Sequence, residues 1–433
     1  MAIAAPNTST SSSASEPTAS YTVPLAVVTT LFFMWGFLTC LNDILVPHLK
    51  PIFDLNYKEI MLIQFAFFGA YFLFSIPSAK VIDWIGYQRS MVVGLLTMGV
   101  GAFLFVPAAS VPSYPLFLMA LIVLAAGITC LQVAANPYVT VLGKSQTASS
   151  RLNLTQAFNS LGTFLAPFFG GLLILTAAPL TITEIRALAP DALQAYRLHE
   201  AATVKLPYIG LGIALVLLAV AIGSFKLPKI PHAQHQIGEK VSDSIWKHPN
   251  LIFGALAIFV YVGAEVSIGS FLVNYFSQPD IGGLTEKAAA SFVAFYWGGA
   301  MVGRFIGSGL LQKMKTGHLL GICAVCAAAL VGISMMSTGH FAMWSIILVG
   351  FFNSIMFPSI FTLGVAELGP LTGDGSGVMI MAIVGGAIIP LAQGAVADRI
   401  GIHHAFFLPV ICYLYILFFA LSGSKPNSER ARA

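Results

Sequence analysis

Two carboxyl side chains stand inside apolar stretches of this chain, where an ionisable group costs about 2.5–3.5 kcal/mol and needs a reason. Asp43 lies in Thr39-Cys40-Leu41-Asn42-Asp43-Ile44-Leu45, and Glu265 in Tyr261-Val262-Gly263-Ala264-Glu265-Val266. A carboxyl in apolar surroundings resists ionisation, so it can take up and release a proton near neutral pH. Glu265 can equally accept hydrogen bonds from hydroxyl groups. Each has a plainer alternative. Asp43 precedes Pro47 and His48 and can be an interfacial residue, while Glu265 can be a polar clamp between helices.

Neutral amides form the second group. Gln132 and Asn136 are four residues apart and Gln156 and Asn159 three apart, so each pair shares one helical face. A carboxamide both donates and accepts, which suits a hydroxyl-rich ligand. Asn42, Asn274, Tyr296, Trp297 and Asn353 complete the candidate set. The alternative for a single amide is glue between helices. For a single aromatic it is packing, since Phe and Trp are abundant here.

The elements that carry these groups follow from composition. The chain has 433 residues, 57% hydrophobic and 9% charged, with a mean hydropathy of +0.86. Twenty-one Lys and Arg and 17 Asp and Glu cannot clothe soluble domains of this size. The surface is expected to face lipid. A formal charge of +4, dispersed along the chain, excludes a nucleic-acid-binding domain. The five Cys all fall in apolar runs, as free thiols do.

A helix that crosses a bilayer needs about 20 apolar residues. Twelve such runs are present: 23–47, 60–82, 90–109, 115–140, 152–177, 204–225, 250–276, 287–311, 318–337, 340–366, 375–397 and 403–422. They are too long for barrel strands of about 10 residues. The expected fold class is all-α, with 12 transmembrane helices in two six-helix bundles, 21–225 and 250–424. Residues 226–249 read as a cytoplasmic linker, and 1–20 and 425–433 as cytoplasmic tails, the first of them disordered. With the N-terminus inside, 14 of the 21 Lys and Arg fall on inner loops and the C-terminal tail, Arg304 counted among them, and seven fall on outer loops. That bias expects both termini in the cytoplasm.

The two halves repeat. Gln132 precedes Pro137 by five residues, as Asn353 precedes Pro358, at a shift of 221. Gly162, Pro167 and Gly171 match Gly385, Pro390 and Gly394 at a shift of 223. Six plus six helices in a parallel repeat resembles the major facilitator superfamily. Gly394-x-x-x-Asp398-Arg399-x-Gly401 is similar to that superfamily's loop motif, and Asp83-x-x-Gly86-x-x-Arg89 to a degenerate copy of it.

Longer stretches narrow the resemblance. Asn42-Asp43, Leu131-Gln132-Val133-Ala134-Ala135-Asn136-Pro137, the run Arg151-Leu152-Asn153-Leu154-Thr155-Gln156-Ala157-Phe158-Asn159-Ser160-Leu161-Gly162, and Tyr261 to Val266 resemble the fucose permease family of sugar symporters. The resemblance spans nearly the whole chain. Fucose permeases carry Glu where this chain has Gln132, and the glucose/galactose branch carries Gln, so this chain resembles that branch. The resemblance implies a bacterial inner-membrane importer of a hexose, coupled to a proton or, failing that, to sodium. It implies that Asp43 is the coupling acid, and Gln132 leaves no second carboxylate in the fourth run. No cofactor is expected, and a monomer suffices.

Other constellations read as bland. Cys323-x-x-Cys326 lacks companions for zinc, His232 and His235 sit in the linker, Gly143-Lys144-Ser145 lacks the rest of a phosphate loop, and Asp374 among Gly373, Gly375 and Gly377 marks the start of a helix. No H-E-x-x-H or G-x-S-x-G motif is present. The competing functions are an uncoupled facilitator, a symporter for fucose, mannose or an N-acetylhexosamine, and a membrane-embedded enzyme or sensor.

Overall fold

The computed structural model describes residues 21–53, 57–111, 113–173, 187–203, 205–228 and 243–430. The tail 1–20 and most of the linker lie outside the described residues. So do the side chains of residues 41–53, which include Asn42 and Asp43.

The first half contains α1 (Thr22–Phe53), α2 (Tyr57–Ser110), α3 (Tyr114–Val141), α4 (Ala148–Leu173), α5 (Pro190–Thr203) and α6 (Lys205–Ser224). The second contains α7 (Pro249–Phe276), α8 (Glu286–Leu310), α9 (Thr316–Met336), α10 (Gly339–Asn353), α11 (Met356–Gly364), α12 (Thr372–Met381), α13 (Gly385–Ile400), α14 (Ile402–Ala405) and α15 (Phe407–Phe418), with a terminal turn α16 (Asn427–Arg430). The described residues contain no strand.

Among the described residues nine helical segments are long and apolar enough to cross a membrane. One of them, Leu62–Ser110, runs for 49 residues, more than twice the length one crossing needs. It breaks at Gly86, which takes φ 80° and ψ 168°. Only glycine enters that region without strain, so one pass ends and the next begins with no linker. Gly401 does the same between α13 and α14 at φ 84° and ψ 154°. With α1, whose apolar Thr22–Leu38 segment is shorter, and α4, the helices match the twelve apolar runs. Exposed side chains such as Leu73, Leu217 and Met336 face outward from them, as lipid contact requires.

Small residues set the helix spacing within each half. Gly36 and Gly162 bring α1 and α4 together, and Gly263 and Gly385 bring α7 and α13 together. Runs ten and eleven are not continuous helices. The tenth is interrupted at Ser354 and Ile355, and the eleventh tightens to a 3-10 turn at Ala382–Val384. Irregular backbone at membrane depth is tolerated where it is buried in protein or lines a cavity.

One helix is not anticipated by the apolar runs. α5 is polar and largely exposed. It opens on Pro190 with Asp191 in its first turn, the residues that favour a helix start.

Candidate functional site

A cavity of about 130 Å³ lies between the two halves. Trp35, Phe67, Phe68, Tyr71, Gln132 and Gln156 form its wall in the first half. Glu265, Arg304, Phe357 and Ile383 form its wall in the second. Phe357 and Ile383 sit at the two interruptions of runs ten and eleven, so the broken helices face this space.

On the first wall, the Gln132 Nε2 donates to the Tyr71 hydroxyl at 2.6 Å. The Gln156 Nε2 reaches the Asn136 Oδ1 at 3.4 Å, longer than a good N–H···O bond. The Gln132 Oε1 and the Asn136 Nδ2 are buried and have no partner among the described residues. Orphaned buried polar atoms are costly and call for a ligand or water. Asn159 is half-buried, and its Nδ2 donates to the Phe32 carbonyl at 2.9 Å, tying α4 to α1.

On the second wall, the Tyr261 hydroxyl lies 2.8 Å from the Glu265 Oε1 and 3.1 Å from the Asn353 carbonyl. The Asn353 Nδ2 donates to the Tyr296 hydroxyl at 2.9 Å, and the Tyr413 hydroxyl donates to the Asn353 Oδ1 at 2.8 Å. The Tyr296 hydroxyl reaches the Glu265 carbonyl at 3.3 Å. This network holds the helix that presents Glu265. Asn353, fully buried, is spent inside it and does not line the cavity.

Two further expectations are corrected. Asn274 is exposed and does not line the cavity. Nine residues from Glu265 place it on the opposite face of α7, because each residue turns 100°. Trp297 is 41% exposed and packs beside Gly269, while its neighbour Tyr296 turns inward.

The fourth correction concerns Arg304, which the loop count placed outside the membrane. It lies within α8, and its guanidinium reaches the cavity. The Nε donates to the Ser354 carbonyl at 3.2 Å, and an Nη donates to the Ser160 hydroxyl of the first half. Its charge also acts on Glu265. The described lining thus carries one acid and one base. Run 8, 287–311, already contained Arg304, and a cation inside a run was the signal that could have found it. Tyr71 and Tyr261 carried no such signal among so many aromatics.

Hydrogen bonds between the halves cluster at one end, the end at which α1 begins and Tyr21 approaches Gly143. The Ser149 and Thr362 hydroxyls are 2.6 Å apart, and Thr316 donates to Ser149 at 2.9 Å. Ser150 donates to the Ser308 carbonyl, Asn153 to the Arg304 carbonyl and Ser376 to the Val133 carbonyl. Lys80 meets Asp374 at 3.0 Å and Asp83 at 3.6 Å. Lys80 is half exposed, so this bridge contributes ~0–1 kcal/mol. The close approach of Gly377 to Ala79 and to the Ser75 carbonyl matters more to the seal.

Residues 26–383 match the family model of the Major Facilitator Superfamily. The chain belongs to that superfamily. Within it, the chain is 54% identical over 405 residues to a glucose/galactose transporter of Brucella abortus, covering 94% of this chain and 95% of that one. It is 36% identical over 417 residues to the L-fucose-proton symporter of Escherichia coli, covering 94% of each. A crystal structure of the Escherichia coli fucose:proton symporter superposes with a TM-score of 0.86 at 34% identity, covering 94% of this chain and all of that one. Another, of the same transporter in the outward conformation, gives 0.85 at 34% identity, covering 94% and 99%. The chain is therefore a multi-pass membrane transporter of the fucose permease family, with two six-helix bundles, and not an enzyme.

In such a transporter the sealed end must open in each cycle. Ser149→Cys with Thr362→Cys, in a background freed of the five native cysteines, can be joined by a short reducible cross-linker. Transport is expected to fall to background when the link forms and to return on reduction. Undiminished transport by the linked protein would show that this end does not open.

Proposed function

We infer that the chain imports a hexose, glucose or galactose before fucose, by symport with a proton and alternating access. The observation that carries this reading is the cavity between the halves. Its polar groups are amides, a phenol, one carboxylate and one guanidinium, framed by aromatic rings. Amides and phenols match sugar hydroxyls, and aromatic rings match the apolar faces of a pyranose. The names of the relatives support the same substrate class.

Gln132, Gln156 and Glu265 are the proposed sugar contacts, with Asn136 held behind Gln156. Asn159 acts through the α1–α4 packing, and Asn353 and Tyr296 act through Glu265. Asp43 is the proposed coupling acid, with Asn42 beside it. They follow Trp35 in α1 by eight and seven residues, about two helical turns. Glu265 is the second coupling candidate. A proton bound at Asp43 together with sugar in the cavity favours the switch between outward-open and inward-open states, as reciprocal linkage requires.

The proposed setting is a bacterial inner membrane, with both termini in the cytoplasm. The sealed end is then the cytoplasmic one, and the state is outward-facing. Bundles 21–225 and 250–424 are joined by the linker 226–249. One chain holds the whole cavity, so a monomer is the working unit.

Uptake of labelled sugars into proteoliposomes, under separately imposed proton and sodium gradients, tests this. A proton gradient alone is expected to concentrate a hexose inside. Accumulation driven by sodium alone would reassign the cation, and equilibration without accumulation would make the protein a facilitator.

A further inference from the structure

Tyr71 is 3% exposed, and its ring borders the cavity. Its hydroxyl oxygen accepts from the Gln132 Nε2 at 2.6 Å. What remains is the phenol's own proton, and no acceptor among the described residues takes it. The Ser75 hydroxyl, one turn further along α2, donates to the Tyr71 carbonyl at 2.5 Å.

Gln132 is the converse case. Its Nε2 gives one N–H to Tyr71, and its Oε1 is buried without a donor. The pair therefore presents an open donor on Tyr71 and an open acceptor on Gln132, two groups already bonded to each other. A hydroxyl that accepts from one and donates to the other satisfies both.

The pair is also held in place before any ligand arrives. Phe67 meets the Tyr71 ring edge-on, with centroids 5.4 Å apart and planes at 64°. Gln132, on α3, fixes the phenol oxygen from another helix. Little side-chain freedom is left to lose on binding.

We propose that Tyr71 determines sugar specificity, reading one hydroxyl of the transported hexose jointly with Gln132. The hydroxyl accepts from the Tyr71 O–H and donates to the Gln132 Oε1. This rests on the sugar-transport reading above. A site built to hydrogen-bond a hydroxyl rejects the analogue lacking it, because its buried polar groups are then left unpaired.

The test uses the full-length protein in liposomes and the monodeoxy series of glucose and galactose, with binding measured for the wild type and for Tyr71→Phe. In the wild type, one deoxy position is expected to weaken binding by about 10- to 100-fold. Tyr71→Phe is expected to weaken the parent sugar about tenfold and to shrink the penalty at that position to a few-fold, with other positions unchanged. Tyr71→Phe that leaves every penalty intact, whether or not overall affinity falls, overturns the assignment, because a packing role alone predicts that pattern. Gln132→Leu removes the acceptor and should erase the penalty at the same position. It stands in if Tyr71→Phe fails to accumulate, and a penalty that persists in Gln132→Leu overturns the proposal too. A wild type that binds no hexose would overturn the transport reading itself, and this assignment with it.

Discussion

Gly385→Val is expected to remove the protein from the folded membrane fraction, and Gly162→Val to do the same. A Cβ at Gly385 would stand 2.0 Å from the Phe259 carbonyl oxygen and 2.7 Å from its carbon. A Cβ at Gly162 would stand 2.2 Å from the Phe33 oxygen and 2.8 Å from the Phe37 nitrogen. Both obstacles are backbone, so a rotamer change cannot relieve them and the helices must separate. Overpacking commonly costs about 1–3 kcal/mol, and more when backbone must move. That is a large share of a typical ~5–15 kcal/mol stability. It falls on helix pairs that lipid offers no hydrophobic force to hold together. Gly332→Val is the control, because nothing stands within 4 Å of a Cβ there. Extraction in mild detergent, followed by size-exclusion profile and thermal midpoint, reads the outcome. Wild-type profiles for both variants would mean that these approaches are not required.

These two glycines also show what a sequence repeat carries. They match at a shift of 223, and each presses its helix onto the first helix of its own half. Backbone spacing is thus shared by both halves and legible in the string. Side-chain destinations are not. Gln132 and Asn353 match at a shift of 221, yet Gln132 lines the cavity and Asn353 stands behind its wall. The helix around Gln132 runs unbroken, whereas the one carrying Asn353 stops there, and Tyr296 and Tyr413 take up its amide.

The spans were legible because lipid demands runs of a fixed length, and the break at Gly86 falls between two of those runs. Arg304 was hidden by a loop count that took its charge as a topology marker. Its place in α8 gives the opposite meaning, a cation retained beside Glu265. The Tyr71 pair was illegible for a different reason. It joins residues 61 apart, on α2 and α3, and helical periodicity names a face but not the neighbour that meets it.

Asp43→Asn is expected to abolish concentrative uptake while leaving sugar binding and exchange in place. Each unit of pH gradient is worth about 1.36 kcal/mol per proton, so one coupled proton supports about tenfold accumulation per unit. An asparagine keeps the shape of the protonated acid but cannot release a proton, so the accumulation ratio should fall to about one. Exchange of labelled for unlabelled sugar needs no net proton movement and should persist. If sodium drives the wild type, the same variant should lose sodium stimulation, since an amide is a weaker ligand for a hard cation than a carboxylate. Glu265→Gln separates the two carboxyl groups. Glu265 faces the cavity and accepts from Tyr261, so its loss should weaken sugar binding first. With Gln132 neutral, the first half offers no second acid in the α3 motif to substitute for Asp43. Full accumulation by Asp43→Asn under either gradient would therefore end its assignment as the coupling acid and pass the role to Glu265, the one carboxylate in the described cavity wall.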